Sequence, residues 1–553
     1  MDLAGIDLNN IQDVERARQA IVQLFNLIED LQATIRQLQT ENQRLRDENN
    51  RLKGEQGQPQ IKPNQPRPKP EPVDLSSEAE RRQPQARHKG SKRDRIQVDR
   101  EQVLTVDPAQ LPADAEFKGY DDVIVQDIEI RTDNVLFHKE KYYSPSARKT
   151  YLAELPAGYT GQFGPGIKAL TVVQYFACNT TEPKILEFFA NVGILISAGE
   201  LSNILIKEQP QLHAEKDAIY VAGLRSSPWQ HTADTATRVN GDNQHCHVVC
   251  NPLYTAFFTT KRKDRLTVLD VLRNLQVRTF RVNAEAIEYL HVFGLAQRSV
   301  RGVQSLPQDQ DFSEATLNRL LDERLPRLGP HQRSRILEAT AVAAYHAQLE
   351  YPVVKLLVCD DAPQFIWLTG ELALCWVHEG RHYKKLDPYV PQHRSALEAF
   401  RKQFWEFYAK LRVYQQQPSP GEKERLAAEF DTLFSTVTDY RALDERIAKT
   451  KLKKTSLLMV LEHPEIPLHN NPAELAARQR VRKRAISFGP RTKDGAKAWD
   501  TFMTLTATAK KLGVSTYHYI YDRVSGANEM PALADLIAER AQQQPLGRSW
   551  DSR

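Results

Sequence analysis

Three acidic residues, far apart in the chain, have the type and setting to hold cations. They are Asp234 in WQHTADTATRVNG, Asp360 at the end of VVKLLVCDD, and Glu474 in LHNNPAELAARQRVRKR. The first lies at the start of a run of strands, the second closes an apolar strand, and the third opens a late helix. Acids placed this way can converge on a pair of hard cations. Such cations prefer oxygen ligands, and a pair of them clamps the attacking and leaving oxygens of a phosphodiester. The first position is the weak one, because the residue before Asp234 is Ala233.

Each acid has its own local logic. Asp360 follows VKLLV, and ligands bind outside the carboxyl ends of strands in open α/β sheets. The plainer reading is an Asp capping the next turn. Asp361 points to the opposite face if the strand continues. Before Glu474, Asn471 suits a helix cap and Pro472 a first turn, so Glu474 sits near the positive end of the helix dipole. Its plainer reading is a helix-start glutamate paired with Arg478 four residues on. Arg480, Arg482, Lys483 and Arg484 follow and suit phosphates.

In CWVHEGRHYKKL, Cys375 and His378 lack two further ligands, which argues against zinc. Contact of Arg381 and His382 with nucleic acid is the functional reading, and local packing the alternative. His245 and His247 share one face of an alternating strand while Cys246 and Cys250 share the other. The potential ligands are therefore split, and no metal site is expected there.

The elements that must position these residues form a mixed α/β chain. Its 553 residues suggest several domains, and a hydrophobic fraction of 41% is enough for real cores. Residues 1–53 contain leucines every seven positions (Leu24, Leu31, Leu38, Leu45, Leu52), with Ile21, Ile28, Ile35, Asn42 and Asn49 as partners. That heptad pattern over 11–53 predicts a parallel two-stranded coiled coil, hence a homodimer, with the asparagines fixing register. A single amphipathic helix packed on its own chain is the alternative. Residues 54–95 are Pro-, Gln- and Arg/Lys-rich and predict a disordered linker. Alternating runs such as VIVQDIEIRT predict a small β-rich module at 96–158, without Cys and so without an ordinary zinc site.

Residues 159–222 turn helical. Pro183, Gly193, and Ser197 with Glu200 three residues on predict helix, turn, helix. The spacing suits a helix-turn-helix, whose second helix would enter a major groove, and equally a helical hairpin that never meets DNA. Residues 228–275 predict three strands and a helix, and VVKLLVCDD and ELALCWVH resume the sheet. The core at 223–510 is thus interrupted by helical insertions at about 280–350 and 388–465, with a helical tail at 511–553.

Charge and cysteine set limits. Seventy-five basic against 70 acidic residues leave only +5, which does not by itself imply nucleic-acid binding. Basic clusters at 81–100 and 478–497 say more. No apolar run approaches ~18 residues, so no membrane span is expected. The start, MDLAGIDLNN, lacks a signal-peptide pattern, and a cytoplasmic chain is expected. Five cysteines suggest reduced thiols.

From about Tyr159 to Asp522 the sequence resembles the transposases of the insertion sequence 66 family. The resemblance is carried by GQFGPGIKALTVVQYF, TEPKILEFFANVGILISAGELSNIL, VCDDAPQF, CWVHEGRHYKKL and NNPAELAARQRVRKRAISFGPRTKDGA. It implies a DDE transposase with an RNase H-like core, Mg²⁺ with Mn²⁺ able to substitute, and action on terminal inverted repeats and target DNA. It also implies accessory proteins of the same element and a nucleoid-associated location. Catalytic and metal-binding roles would fall on Asp234, Asp360 and Glu474. The family pattern resembles D-[DE]-T-x-x-R-V. Aligned on Arg238 and Val239, its leading Asp falls on Ala233 and its second acid on Asp234. Two outcomes follow: an active transposase that nicks element ends and transfers the freed 3′-hydroxyl, or a relic that binds DNA as a dimer and cannot cut.

Overall fold

A computed structural model describes residues 14–53, 96–112, 114–159, 161–207 and 210–551. The linker expected at 54–95 lies outside the described residues, as does the start of the heptad segment. Helix α1 (Val14–Leu52) buries none of its residues. Among the described residues of 96–140 there is no strand; β1 (Lys141–Ser144) and β2 (Lys149–Leu152) form one antiparallel hairpin. The β-rich expectation for 96–158 therefore holds only at this hairpin. Val123, Val125 and Ile128 stay exposed, and alternation makes a strand only where an apolar face has something to cover.

The helical segment follows as α2 (Pro165–Val172), α3 (Glu182–Asn191), α4 (Ala198–Ile206) and α5 (Pro210–Arg225). Ser197 Oγ accepts the Glu200 N–H at the start of α4, and Gly193 takes φ +81°, as the sequence suggests. Then comes the sheet: β3 (Trp229–Val239), β4 (Asp242–Asn251) and β5 (Tyr254–Thr260). Asn240 and Gly241 both have positive φ (52° and 85°), the geometry a two-residue hairpin between right-twisted strands requires. The antiparallel ladder matches Asp234 to His247 and Ala233 to Val248.

After α6 (Arg265–Leu272) the chain leaves the sheet. It forms β6 (Phe280–Arg281), α7 (Ala284–Val292), α8 (Gln297–Gln304), β7 (Asp311–Phe312), α9 (Glu314–Arg324) and α10 (Pro330–Ala347). It returns as β8 (Leu356–Cys359), fully buried, then β9 (Glu371–Leu374). Strand order is β5-β4-β3-β8-β9, with β3, β8 and β9 parallel. The strand ends at Leu374 rather than continuing through CWVH, and Cys375 starts α11 (Trp376–Lys384).

A second excursion holds α12 (Pro391–Gln416), α13 (Pro420–Leu433), α14 (Arg441–Lys451) and α15 (Lys454–Leu457). Trp376 ties it to the sheet: its ring lies 5.3 Å from that of Phe404, and its Nε1 donates to Leu457 O at 2.8 Å. The chain finishes with α16 (Asn471–Ser487), α17 (Lys493–Lys511), α18 (Thr516–Ser525), α19 (Leu533–Gln543) and the short α20 (Arg548–Asp551).

Helix α17 seals the sheet edge. Asp500, Thr504 and Thr508, one turn apart, accept the N–H groups of Thr259, Phe257 and Thr255 on β5 at 2.7, 3.1 and 3.3 Å. Donors that would otherwise template another strand are thereby satisfied. Among the described residues no helix is long and apolar enough to cross a membrane.

Candidate active site

Where β8 ends, Asp360 Oδ1 accepts the Ala362 N–H at 3.2 Å. Burial pushes the Asp360 carboxyl above its usual range, and the neighbouring charges of Asp234 and Asp361 push the same way, against Ala362 and His378. Asp361 behaves oppositely. His378 and Lys453 hold it far below the ordinary carboxylate range, with His378 Nε2 at 3.3 Å and Lys453 Nζ at 2.5 Å.

Glu474 sits in the first turn of α16. The turn is fixed by Asn470, whose Nδ2 donates to Thr232 O at 2.7 Å and whose Oδ1 accepts from His231 Nδ1 at 2.9 Å. The Asn470 N–H donates to Cys375 Sγ at 3.2 Å, and that sulfur also accepts the His378 N–H at 3.4 Å. The cap position is thus Asn470, with its side chain spent on β3, and Asn471 is the first helical residue. One network joins β3, α11 and α16. Burial within it drives the His231 pKa down to about 3, so that imidazole is neutral. Arg381 then forks onto Glu474, at 3.2 Å to Oε1 and 2.8 Å to Oε2, in place of the Arg478 pairing that the plainer reading offered. Glu474 is the main reason the Arg381 pKa is raised against the pull of burial, and the Asp360 charge adds to it more weakly.

The first position follows from register. His231 pairs with Val358 in the parallel ladder. Two residues further, Ala233 comes level with Asp360. Ala233 also shares the face of His231, the face on which α16 lies, so Asp234 is carried on the other. Asp234 accepts from Gln364 Nε2 at 2.8 Å and from Lys263 Nζ at 3.3 Å.

Residues 357–498 match the model of the family described as Transposase IS66 family. Over 324 residues the chain is 34% identical to an uncharacterized protein, y4jO, of Sinorhizobium fredii (strain NBRC 101917 / NGR234); the match covers 58% of this chain and 99% of that protein. The chain belongs to the insertion sequence 66 family of transposases. No solved structure matches it. The matched segment runs from β8 into α17, so it contains Asp360 and Glu474 and leaves out Asp234.

Helix α16 of the transposase divides its basic residues in a way the sequence concealed. Arg480 is fully buried, with Nη1 3.2 Å from Asp500 Oδ1 and Nη2 donating to Thr259 Oγ1 at 2.7 Å. Lys483 is buried too: it donates to Tyr175 O, its Nζ lies 3.1 Å from the Tyr175 ring centre, and burial pulls its pKa down to about 7. Both were expected to suit phosphates, and in this structure both are spent on the protein interior. Arg478 and Arg482 are exposed, and Arg484 is half-buried and donates to Ala236 O. Arg381 and His382 are likewise engaged by acids, His382 Nε2 lying 3.6 Å from Asp361 Oδ2, while Arg381 keeps 39% of its side chain exposed. Sequence reasoning also missed the close grouping of Asp361, His378 and His382. The readable signal was His-x-x-x-His on a helix beside a strand-end Asp.

Proposed function

We propose that this transposase binds the ends of an insertion sequence and carries out metal-dependent strand cleavage and strand transfer at the Asp234–Asp360–Glu474 edge. The sheet order supports an RNase H-like core at 223–510: three antiparallel strands, then two parallel ones, with a late helix crossing the strand ends. The observation that carries the reading is Arg381, which holds Glu474 and feels Asp360.

The acids fit divalent cations, Mg²⁺ or Mn²⁺. Three carboxylates crowd the end of β8, and their mutual repulsion helps keep the Asp360 carboxyl raised, a strain that a dication relieves. Asp360 and Asp234 would hold the ions, joined by Glu474 once it leaves Arg381. Cations held there would activate water and stabilise the leaving oxygen. Arg381, once freed, faces DNA, while Arg478 and Arg482 hold phosphates and the α3–α4 pair approaches the element end.

Dimerisation through α1 belongs to this reading. The helix docks on its own chain by a polar edge, and its heptad stripe stays open, with Ile21 49%, Leu31 45% and Leu38 60% exposed. A second copy of α1 fits that stripe.

A second reading is favoured by Ala233. An alanine on the α16 face, with Asp234 tied to Gln364 and Lys263, leaves the pocket one carboxylate short. On that reading the chain is a catalytically impaired dimeric DNA-binding protein. A cleavage and strand-transfer assay on element-end DNA with Mg²⁺ or Mn²⁺ decides. Loss of activity in Asp360→Asn, Glu474→Gln and Asp234→Asn supports the active enzyme, whereas unchanged transfer in the first two defeats it. An inert parent rescued by Ala233→Asp supports the impaired reading.

A further inference from the structure

We propose that Asp361, His378 and His382 form a second metal site, for a transition-metal dication of the zinc type, separate from the all-carboxylate edge. It does not depend on whether the chain cuts DNA. The two histidines stand four residues apart on α11 and so share one face of the helix. Asp361 meets them from the end of β8, and the ligand atoms of all three lie within 4.8 Å of one another.

The spacing suits one ion. Each Nε2 addresses a different carboxylate oxygen, His378 at 3.3 Å and His382 at 3.6 Å. Metal–ligand bonds of roughly 2.0–2.1 Å in a tetrahedron put neighbouring ligand atoms about 3.3 Å apart. Two imidazoles with one carboxylate favour zinc-like ions over Mg²⁺, which takes oxygens. A fourth position is left for water.

Both histidines pair with Asp361, but His378 Nε2 comes within 3.3 Å of it while His382 Nε2 stands 3.6 Å away, beyond hydrogen-bond reach. The Nε2 atom of His382 is buried and makes no hydrogen bond. Buried polar atoms without partners are uncommon, and an ion is one of the few things that explains them. Lys453 is the competitor, since its ammonium holds Asp361 Oδ2. It also donates to Glu379 Oε2 at 3.0 Å, so it keeps a partner on yielding Asp361. Asp361, His378 and His382 are each about a quarter exposed (29%, 25% and 25%), which leaves an ion a way in. Cys375 is not a ligand, because its sulfur is engaged by two backbone N–H groups and burial pushes the thiol up to about 11.

The consequence is positional. An ion here clasps the end of β8 to α11, fixing the strand end that carries Asp360 and the helix that carries Arg381. The test is a Co²⁺ titration of the full-length, chelator-treated protein, read by visible absorption and by melting temperature. One Co²⁺ per chain at micromolar affinity, displaced by Zn²⁺ and not by Mg²⁺, is expected. His382→Ala should abolish it, Asp360→Asn with Glu474→Gln should leave it in place, and Lys453→Met should tighten it at least about tenfold by removing the competing charge. Absence of Co²⁺ binding, binding that survives His378→Ala and His382→Ala, or binding lost only with Asp360 and Glu474 overturns the proposal. Each outcome is readable in a chain with no cleavage activity.

Discussion

Strands β3 and β8 lie side by side and run the same way, yet at one level β8 has just given way to Asp360 and β3 carries Ala233. The difference is more than one side chain. Strand β8 stops at Cys359, so the backbone after it is free to turn and Asp360 can take a hydrogen bond from Ala362. Strand β3 continues to Val239, paired with β4 throughout. A residue held in that ladder cannot rotate to the other face without a bulge. Asp234 is therefore a poor substitute for an acid at 233, even though it lies close enough for its charge to act on Asp360.

The sharpest way to break the comparison is to make the two strands alike. Ala233→Asp should raise Mg²⁺-dependent cleavage of element-end DNA by roughly a hundredfold or more, in line with the weight of a missing active-site group. Adding Asp360→Asn should return it to background. If Ala233→Asp leaves the rate unchanged while Asp234→Asn removes it, register is the wrong guide and Asp234 is the first ligand.

Next in size is a contrast within α16, whose first turn serves the acids and whose second half serves the core. Arg480→Met breaks the buried pair with Asp500 and should cost about 3–5 kcal/mol in denaturant unfolding. Burial already raises the Asp500 carboxyl, and Arg480 opposes that rise. Without Arg480 the folded state holds the Asp500 proton more tightly than the unfolded chain does. Stability should then fall as pH rises above the ordinary carboxylate range. Asp500→Asn in the same protein should recover most of the loss. Arg482→Ala should leave stability alone and weaken DNA binding equally across sequences, with a shallower salt dependence.

Lys483 tests the same half of the helix with the opposite sign. Its folded pKa is about 7, well below the ordinary lysine value, and burial is the main cause. Between those two pKa values the unfolded chain binds the proton that the folded chain releases. This residue therefore makes stability rise with pH from about 7 toward the free-lysine range. Lys483→Met should flatten that slope and stabilise the protein at pH 6 by about 1–3 kcal/mol, since a buried ion replaced by an apolar chain is often a gain. A melting curve with an unchanged pH slope would sink this account.

What the sequence could and could not convey follows from these cases. Period made β3, β4 and β5 legible, and cap chemistry placed Ser197 at the start of α4; the Asn240–Gly241 turn of the first hairpin went unread. Strand-end logic picked out Asp360, and the cap-and-proline pattern picked out the helix of Glu474. Periodicity names the faces of one element but not which elements meet. Hence Arg480 and Lys483 looked like phosphate ligands while facing Asp500 and Tyr175, and Glu474 was matched to Arg478 when Arg381 of another helix held it. The stretch at 123–130 alternates well and still forms no strand, because no surface stands opposite it. The Asp361–His378–His382 group was missed because ligands were counted along one stretch rather than across a strand end and a helix.

The smallest effect concerns α1, where the stripe proposed to take a second copy and the edge that docks on its own chain separate cleanly. Arg18, Phe25, Glu29 and Arg36 meet Asp439, His393, the start of α12 and Asp387. Their spacing of seven, four and seven residues defines one face. Ile21, Leu24, Ile28, Leu31 and Ile35 fall about a third of a turn away at 100° per residue. Both contacts can therefore form at once. Glu29 is the centre of the home edge: it accepts the N–H groups of Tyr389 and Val390 at 2.9 and 2.8 Å. Burial pushes its carboxyl up, but those N–H groups and His393 more than offset this and hold it below the normal range. Its contribution is therefore present above the unfolded glutamate pKa and lost as pH falls through the lowered one. Glu29→Ala should cost about 1 kcal/mol, the usual weight of a lost helix cap, and speed hydrogen exchange along α1. The dimer should survive, since no heptad residue changes. Dissociation of the Glu29→Ala dimer on a sizing column would mean that the home edge, and not the leucine stripe, holds the two copies together.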